Sequence, residues 1–150
     1  DSVEVRDLLV VLKEQIARCR EPLNPQAVGN ALYGLQSMSS DSVEVRDLLV
    51  VLREQVARCK EPLSAQAVGN ALYGLQSMSS DSVEVRDLLV VLREQVARCR
   101  EPLSAQAVGN ALYGLQSMSS DSVEVRDLLV VLKEQIARCK GSMSLVVKNN

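Results

Sequence analysis

Apolar residues recur along residues 3–19 at helical spacing. At about 100° per residue, Val5, Leu8, Leu9, Leu12, Ile16 and Cys19 share one face. A second ridge, Val3, Val10 and Ala17, returns every seven residues on nearly the opposite side. A surface helix buries one stripe, so two apolar ridges predict a helix sandwiched between neighbours. Residues 25–38 carry a shorter helical pattern, with Val28, Ala31, Leu32, Leu35 and Met38 on one face. The run Leu8 to Leu12 contains two valines and could read as a strand. It lies inside the longer helical period, which predicts helix instead.

Punctuation between these stretches agrees with helices. Asp41 precedes the second long stretch and Glu44 follows three residues later, a capping-box pattern with the aspartate as cap. Glu61-Pro62 stops the long helix, because the residue before proline is pushed out of the helical region. Asn24-Pro25 reads as a cap followed by proline at the first helical position. The short helix then runs to Met38, and Ser39-Ser40 leads into the next aspartate. Gly29 and Gly34 sit inside the short helix at about 1 kcal/mol each relative to alanine. Their presence points to close backbone approach or to tolerated weak spots.

The whole pattern repeats with a period of 40 residues. Residues 1–40, 41–80 and 81–120 are three copies, and 121–140 is half of a fourth. The second and third copies differ only at Lys60 and Arg100. The first departs from the second at Lys13/Arg53, Ile16/Val56, Arg20/Lys60, Asn24/Ser64 and Pro25/Ala65. Such near-identity fits a recent duplication or a designed consensus array. The predicted fold is all-α: a right-handed α-solenoid of helix-turn-helix units, seven helices in about three and a half repeats over residues 1–140. Residues 141–150 form a tail, in which Gly141 suits a helix end and Ser144 to Lys148 a short strand or a frayed segment.

Composition narrows the chemistry. Apolar residues make up 47% and charged residues 24%, which is the balance of a soluble globular chain. Three tyrosines are the only aromatics, so the core is aliphatic. Histidine is absent, which removes the commonest general base and metal ligand. No residue set combines a nucleophile, a base and an oxyanion donor, so neither an enzyme nor a cofactor is expected. No apolar run reaches the length of a membrane span. Cys19, Cys59, Cys99 and Cys139 recur one per unit on the apolar face. Equivalent positions on neighbouring helices are too far apart for disulfides, so these read as small reduced core residues. Unpaired thiols and the lack of a visible secretory signal suggest an intracellular setting, cytoplasm or organelle matrix. The mixed charges of the long helices read as a solvated, pairing face.

One constellation is a candidate site. Gln26, Asn30, Tyr33 and Ser37 project together, opposite the apolar face of the short helix. Stacked units would repeat it as Gln66, Asn70 and Tyr73, then Gln106, Asn110 and Tyr113. One amide and one aromatic per repeat is what a modular reader of single-stranded nucleic acid uses. Equally, the asparagines could bond an adjacent backbone and lock unit to unit.

The segment Pro25-Gln-Ala-Val-Gly-Asn-Ala-Leu-Tyr-Gly-Leu-Gln36 resembles the opening of an octotricopeptide repeat. Gln26, Val28, Asn30, Leu32, Tyr33 and Leu35 carry the likeness in each full unit, over residues 25–140. The resemblance implies an α-solenoid of helical hairpins that binds single-stranded RNA in organelles or bacteria. In this chain, phosphates would be met by Arg6, Lys13, Arg18, Arg20 and their copies, against a net charge of −2. A protein-interaction scaffold, or a consensus array with no evolved ligand, is the alternative. Either end should also expose an apolar ridge, Val3/Val10 or Val123/Val130, which predicts a homo-oligomer.

Overall fold

The structure is a computed structural model that describes residues 2–138. Among these the chain is all-helical, with seven helices and no strand. Four are long: α1 (Val3–Arg18), α3 (Val43–Ala57), α5 (Val83–Arg98) and α7 (Val123–Ala137). Three are short and alternate with them: α2 (Pro25–Tyr33), α4 (Ala65–Tyr73) and α6 (Ala105–Gly114). Each helix packs chiefly on the helix two positions away. The long helices therefore form one layer, in the order α1, α3, α5, α7. The short helices form a second layer, α2, α4, α6.

One aliphatic core fills the space between the layers. The predicted faces supply it: Val45, Leu48, Leu49, Leu52, Val56 and Cys59 from the first layer are all buried. Val68, Ala71, Leu72, Leu75 and Met78 from the second are at most 1% exposed. The other predicted ridge behaves differently. Val3, Val43, Val83 and Val123 are exposed in every copy, as are Val10, Val50, Val90 and Val130. The long helices meet through their flanks and face the short layer with one side, which leaves this ridge on the outer surface. α3 and α5 do lie between two long helices, but through other faces, and exposure of Val3/Val10 and Val123/Val130 is not an end effect.

Helix termini also depart from the sequence reading. The N-cap is serine, not aspartate: Ser2 and Ser42 accept from the Val5 and Val45 amides at 3.2 and 3.4 Å. Serine brings its oxygen to the first-turn amide from one residue closer to the helix. Asp41 instead lends its carbonyl, with that of Ser40, to the Arg46 guanidinium at 2.9 and 2.8 Å. The short helices cap as expected, Asn24 Oδ1 accepting from the Ala27 amide at 2.8 Å and Ser64 Oγ from Ala67 at 3.0 Å. They end at Tyr33, Tyr73 and Gly114 rather than at the methionines. Beyond them the chain tightens into turns, with Leu35 and Met38 amides bonded to the Leu32 and Leu35 carbonyls.

Two glycines per joint allow the short helices to approach closely. A methyl group on Gly29 or Gly69 would press on Ala67 or Ala107, and one on Gly74 or Gly114 would overlap the Leu32 or Leu72 carbonyl. Gly109, on the outer side of α6, has nothing within 4 Å of such a methyl. The tail 141–150, its candidate strand and Cys139 lie outside the described residues.

Candidate ligand-binding face

The short helices carry the candidate residues and fix their order. Gln26 and Asn30 are four positions apart on α2, so their amides share a face, and Tyr33 follows three positions on. The same triplet recurs on α4 and α6. Close packing of these helices turns the triplets into rows. Gln26, Asn30, Gln66 and Asn70 line an open trough between α2 and α4, together with Ser64. Gln66, Asn70, Gln106 and Asn110 line the next trough, joined by Ser104 and Glu101. Gln66 and Asn70 are thus common to both.

None of these six amides donates to or accepts from another described residue. The asparagines are therefore not the groups that lock one unit to the next among the described residues. Each presents a donor and an acceptor outward. The tyrosines are engaged with one another. Tyr33 and Tyr73 stack with centroids 5.2 Å apart and planes at 18°, and Tyr73 and Tyr113 stack at 5.3 Å and 19°. They form one column along the edge of the amide rows. The short helices themselves contain no charged residue.

Locking falls to other side chains, none of them expected at the joints from sequence. Gln55 and Gln95, both buried, donate to the Ile16 and Val56 carbonyls at 3.2 and 3.0 Å. Arg58, Arg98 and Arg138 donate Nη1 to the carbonyls of Cys19, Cys59 and Cys99 at 3.3, 3.0 and 3.0 Å. Their Nη2 atoms reach the carbonyls of Arg20, Lys60 and Arg100. Each guanidinium thereby holds the two carbonyls that immediately follow the preceding long helix or its cap. Ser77 and Ser117 donate to the Gln36 and Gln76 carbonyls at 2.8 and 2.9 Å, so the Ser37 position serves the joint. Only the forty-residue repeat hinted at these contacts, since each spans about one unit.

The start of each long helix forms a second seam. Arg6, Arg46 and Arg86 pair through Nε with Glu44, Glu84 and Glu124 of the next unit at 3.6, 3.8 and 4.0 Å. Glu84 and Glu124 sit below the usual glutamate range. The Ser82 and Ser122 hydroxyls that donate to them are the main cause, aided by their own backbone amides and the neighbouring arginines. With Arg46, Arg86, Arg126, Arg58, Arg98 and Arg138 bound to carbonyls, half of the arginines expected to meet phosphates are committed to the fold.

Cys19, Cys59 and Cys99 are free thiols. Cys59 and Cys99 are buried, whereas Cys19 is exposed, contrary to its place on the predicted apolar face, since among the described long helices α1 packs on α3 alone. Burial raises the Cys59 thiol above its ordinary value, against a lowering bond to the Glu61 carbonyl. Among the described residues no group of three or more His, Cys, Asp or Glu could hold a metal ion. No described helix is long and apolar enough to cross a membrane. The arrangement offers hydrogen bonding and stacking.

No family model, curated protein or solved structure matches the chain.

Proposed function

We propose that the chain is a right-handed α-solenoid of about three and a half helical hairpins and a non-catalytic binding array. Its ligand face is the row of short helices, and its partner is single-stranded RNA. The observation that carries this reading is the row of unspent amides, Gln26/Asn30, Gln66/Asn70 and Gln106/Asn110, along two adjoining troughs. Paired donors and acceptors at one site per unit match the edges of unstacked bases. The resemblance of residues 25–36 to an octotricopeptide repeat supplies the choice of RNA.

The tyrosine column limits how bases lie. A base between two rings needs roughly twice the ~3.4 Å stacking rise, more than the 5.2 Å between Tyr33 and Tyr73. Bases therefore lie on the amide rows, and only the outer ring faces of Tyr33 and Tyr113 remain for stacking. Arg18, Arg20, Arg53, Arg100 and the lysines are left for phosphate beside neighbouring acids, so binding is weak and steeply salt-dependent. The free thiols of Cys19, Cys59 and Cys99 suit a reducing intracellular compartment.

Near-identical rungs require near-identical bases, which fixes the test. Fluorescence anisotropy with labelled poly-A, poly-C, poly-G and poly-U is expected to show one base preferred by tenfold or more. The Asn30, Asn70 and Asn110 to Ala triple variant is expected to lose that preference while keeping its helical circular dichroism. Equal binding to all four, or none, overturns the reading. Near-identity of the units itself favours a second reading, a protein-interaction scaffold or consensus array without an evolved ligand.

A further inference from the structure

We infer that the pocket beside the starts of α2 and α4 is a guanylate site, in which Glu61 takes the base and Arg100 the phosphate. Asn24 and Gln26 of the first unit, Glu61 and Ser64 of the second and Arg100 of the third all line it. It offers about 520 Å³, within the range of small-molecule sites. Gln26 and Ser64 also line the trough between α2 and α4, so the pocket is the end of that trough.

One difference between the units makes this place unlike its counterpart at the next joint. There Glu101 is spent: its Oε1 accepts from the amide of Ala65, the first residue of α4, at 2.9 Å. The first unit has Pro25 at the position of Ala65, and proline has no amide hydrogen to give. Glu61, the equivalent of Glu101, lines the pocket together with Pro25. Neither of its carboxylate oxygens is bonded to another described residue. The Arg100 guanidinium is likewise unbonded among the described residues, and the two groups are not paired with each other. The pocket therefore holds a carboxylate and a guanidinium apart, both with their hydrogen bonding unspent.

Those two groups select a ligand. A carboxylate has acceptors alone, two oxygens side by side. Among the RNA bases, guanine sets two donors next to each other on its pairing edge, N1–H and the N2 amino group. Adenine, cytosine and uracil each set an acceptor beside their donor, which a carboxylate repels. A guanidinium has donors alone, in a fork that fits two phosphate oxygens. Half-buried Pro25 and Pro62 and the buried Leu63 give apolar surface to a flat ring. That the guanylate belongs to a strand running on into the amide trough rests on the RNA reading above.

NMR titration with the 5′-monophosphates of guanosine, adenosine, cytidine and uridine, up to millimolar concentration, tests the pocket apart from any strand. The guanosine nucleotide is expected to bind roughly tenfold or more tightly than the other three, shifting the Glu61 carboxyl and Arg100 guanidinium signals. Glu61→Gln puts a donor where one acceptor stood. Pro25→Ala offers Glu61 the kind of amide that Glu101 already holds, and copies the residue with which α4 begins. Each is expected to remove the advantage. Glu54→Gln, the same loss of charge at an exposed place on α3, keeps it. Guanosine nucleotide bound no more tightly than the others, or an advantage that survives Glu61→Gln, overturns the proposal. A chain that prefers one homopolymer yet treats the four mononucleotides alike loses the guanylate site alone. One that selects the guanosine nucleotide through Glu61 but tells no homopolymer apart keeps the pocket and loses the strand.

Discussion

Gln95 donates from its buried side-chain amide to the Val56 carbonyl at 3.0 Å, across 39 residues of chain. Its carbonyl oxygen accepts from Arg98 at 2.9 Å, so one side chain holds both the preceding helix and the arginine beside it. Gln95→Ala leaves a buried carbonyl and a guanidinium short of a partner. Urea denaturation is expected to show a loss of about 1–3 kcal/mol with an unchanged slope. Gln15, exposed on α1, should tolerate the same change to within about 0.5 kcal/mol. Equal losses at the two positions would show that the bond across the joint is not what matters.

The glycines give a pair of opposite sign. Gly74→Ala drives a methyl into the Leu32 carbonyl, so α2 and α4 must part, and thermal unfolding should shift down. Gly109→Ala meets open space on α6 and gains helix propensity, about 0.5–1 kcal/mol, so its midpoint should rise. A rise for both variants would mean that the short helices are not held in close approach.

These residues also show what the chain made legible. The aliphatic faces of both helices, the Asn24 cap and Pro25 at the first turn followed from spacing and local backbone chemistry alone. The Val3/Val10 ridge misled because apolar periodicity marks a face without saying what covers it. Gln55, Arg58 and Ser77 were invisible as joint residues. Their partners lie about one unit away, and a polar residue on a helix looks the same whether it meets water or a carbonyl. The candidate rows were legible as positions, since stacking identical units must align identical residues. That Asn30 stays unbonded while Tyr33 stacks on Tyr73 depended on the distance between helices, which no spacing encodes.

Thiol reactivity should report burial unit by unit. Cys19 is exposed, while Cys59 and Cys99 are buried. Alkylation followed by peptide mass spectrometry should modify Cys19 first, with Cys59 and Cys99 protected until the chain opens. Burial raises the Cys59 thiol, so less of its reactive thiolate forms at a given pH, which widens the gap. Equal rates for Cys19 and Cys59 would contradict the packing.

Acid should weaken the seam at the starts of α5 and α7. Glu84 and Glu124 have folded values below their unfolded ones, chiefly because Ser82 and Ser122 donate to them. Their contribution is complete above the ordinary glutamate range and is lost as pH falls through the depressed folded values. Carboxyl NMR should show both titrating late on acidification, and Ser82→Ala should return Glu84 towards an ordinary glutamate. A Glu84 titration unmoved by that change would assign its shift to another cause.

The hydrogen bonds that Arg58, Arg98 and Arg138 make to backbone carbonyls across the joints point towards the N-terminus: Arg58 to Cys19, Arg98 to Cys59, Arg138 to Cys99. Translation delivers the accepting carbonyls first and the donating arginine afterwards. As the nascent polypeptide leaves the ribosome, the carbonyls that follow each long helix stay open until the following unit has emerged to close them. Assembly therefore trails synthesis by one unit, and a product truncated early leaves the carbonyls after its last long helix without their arginine.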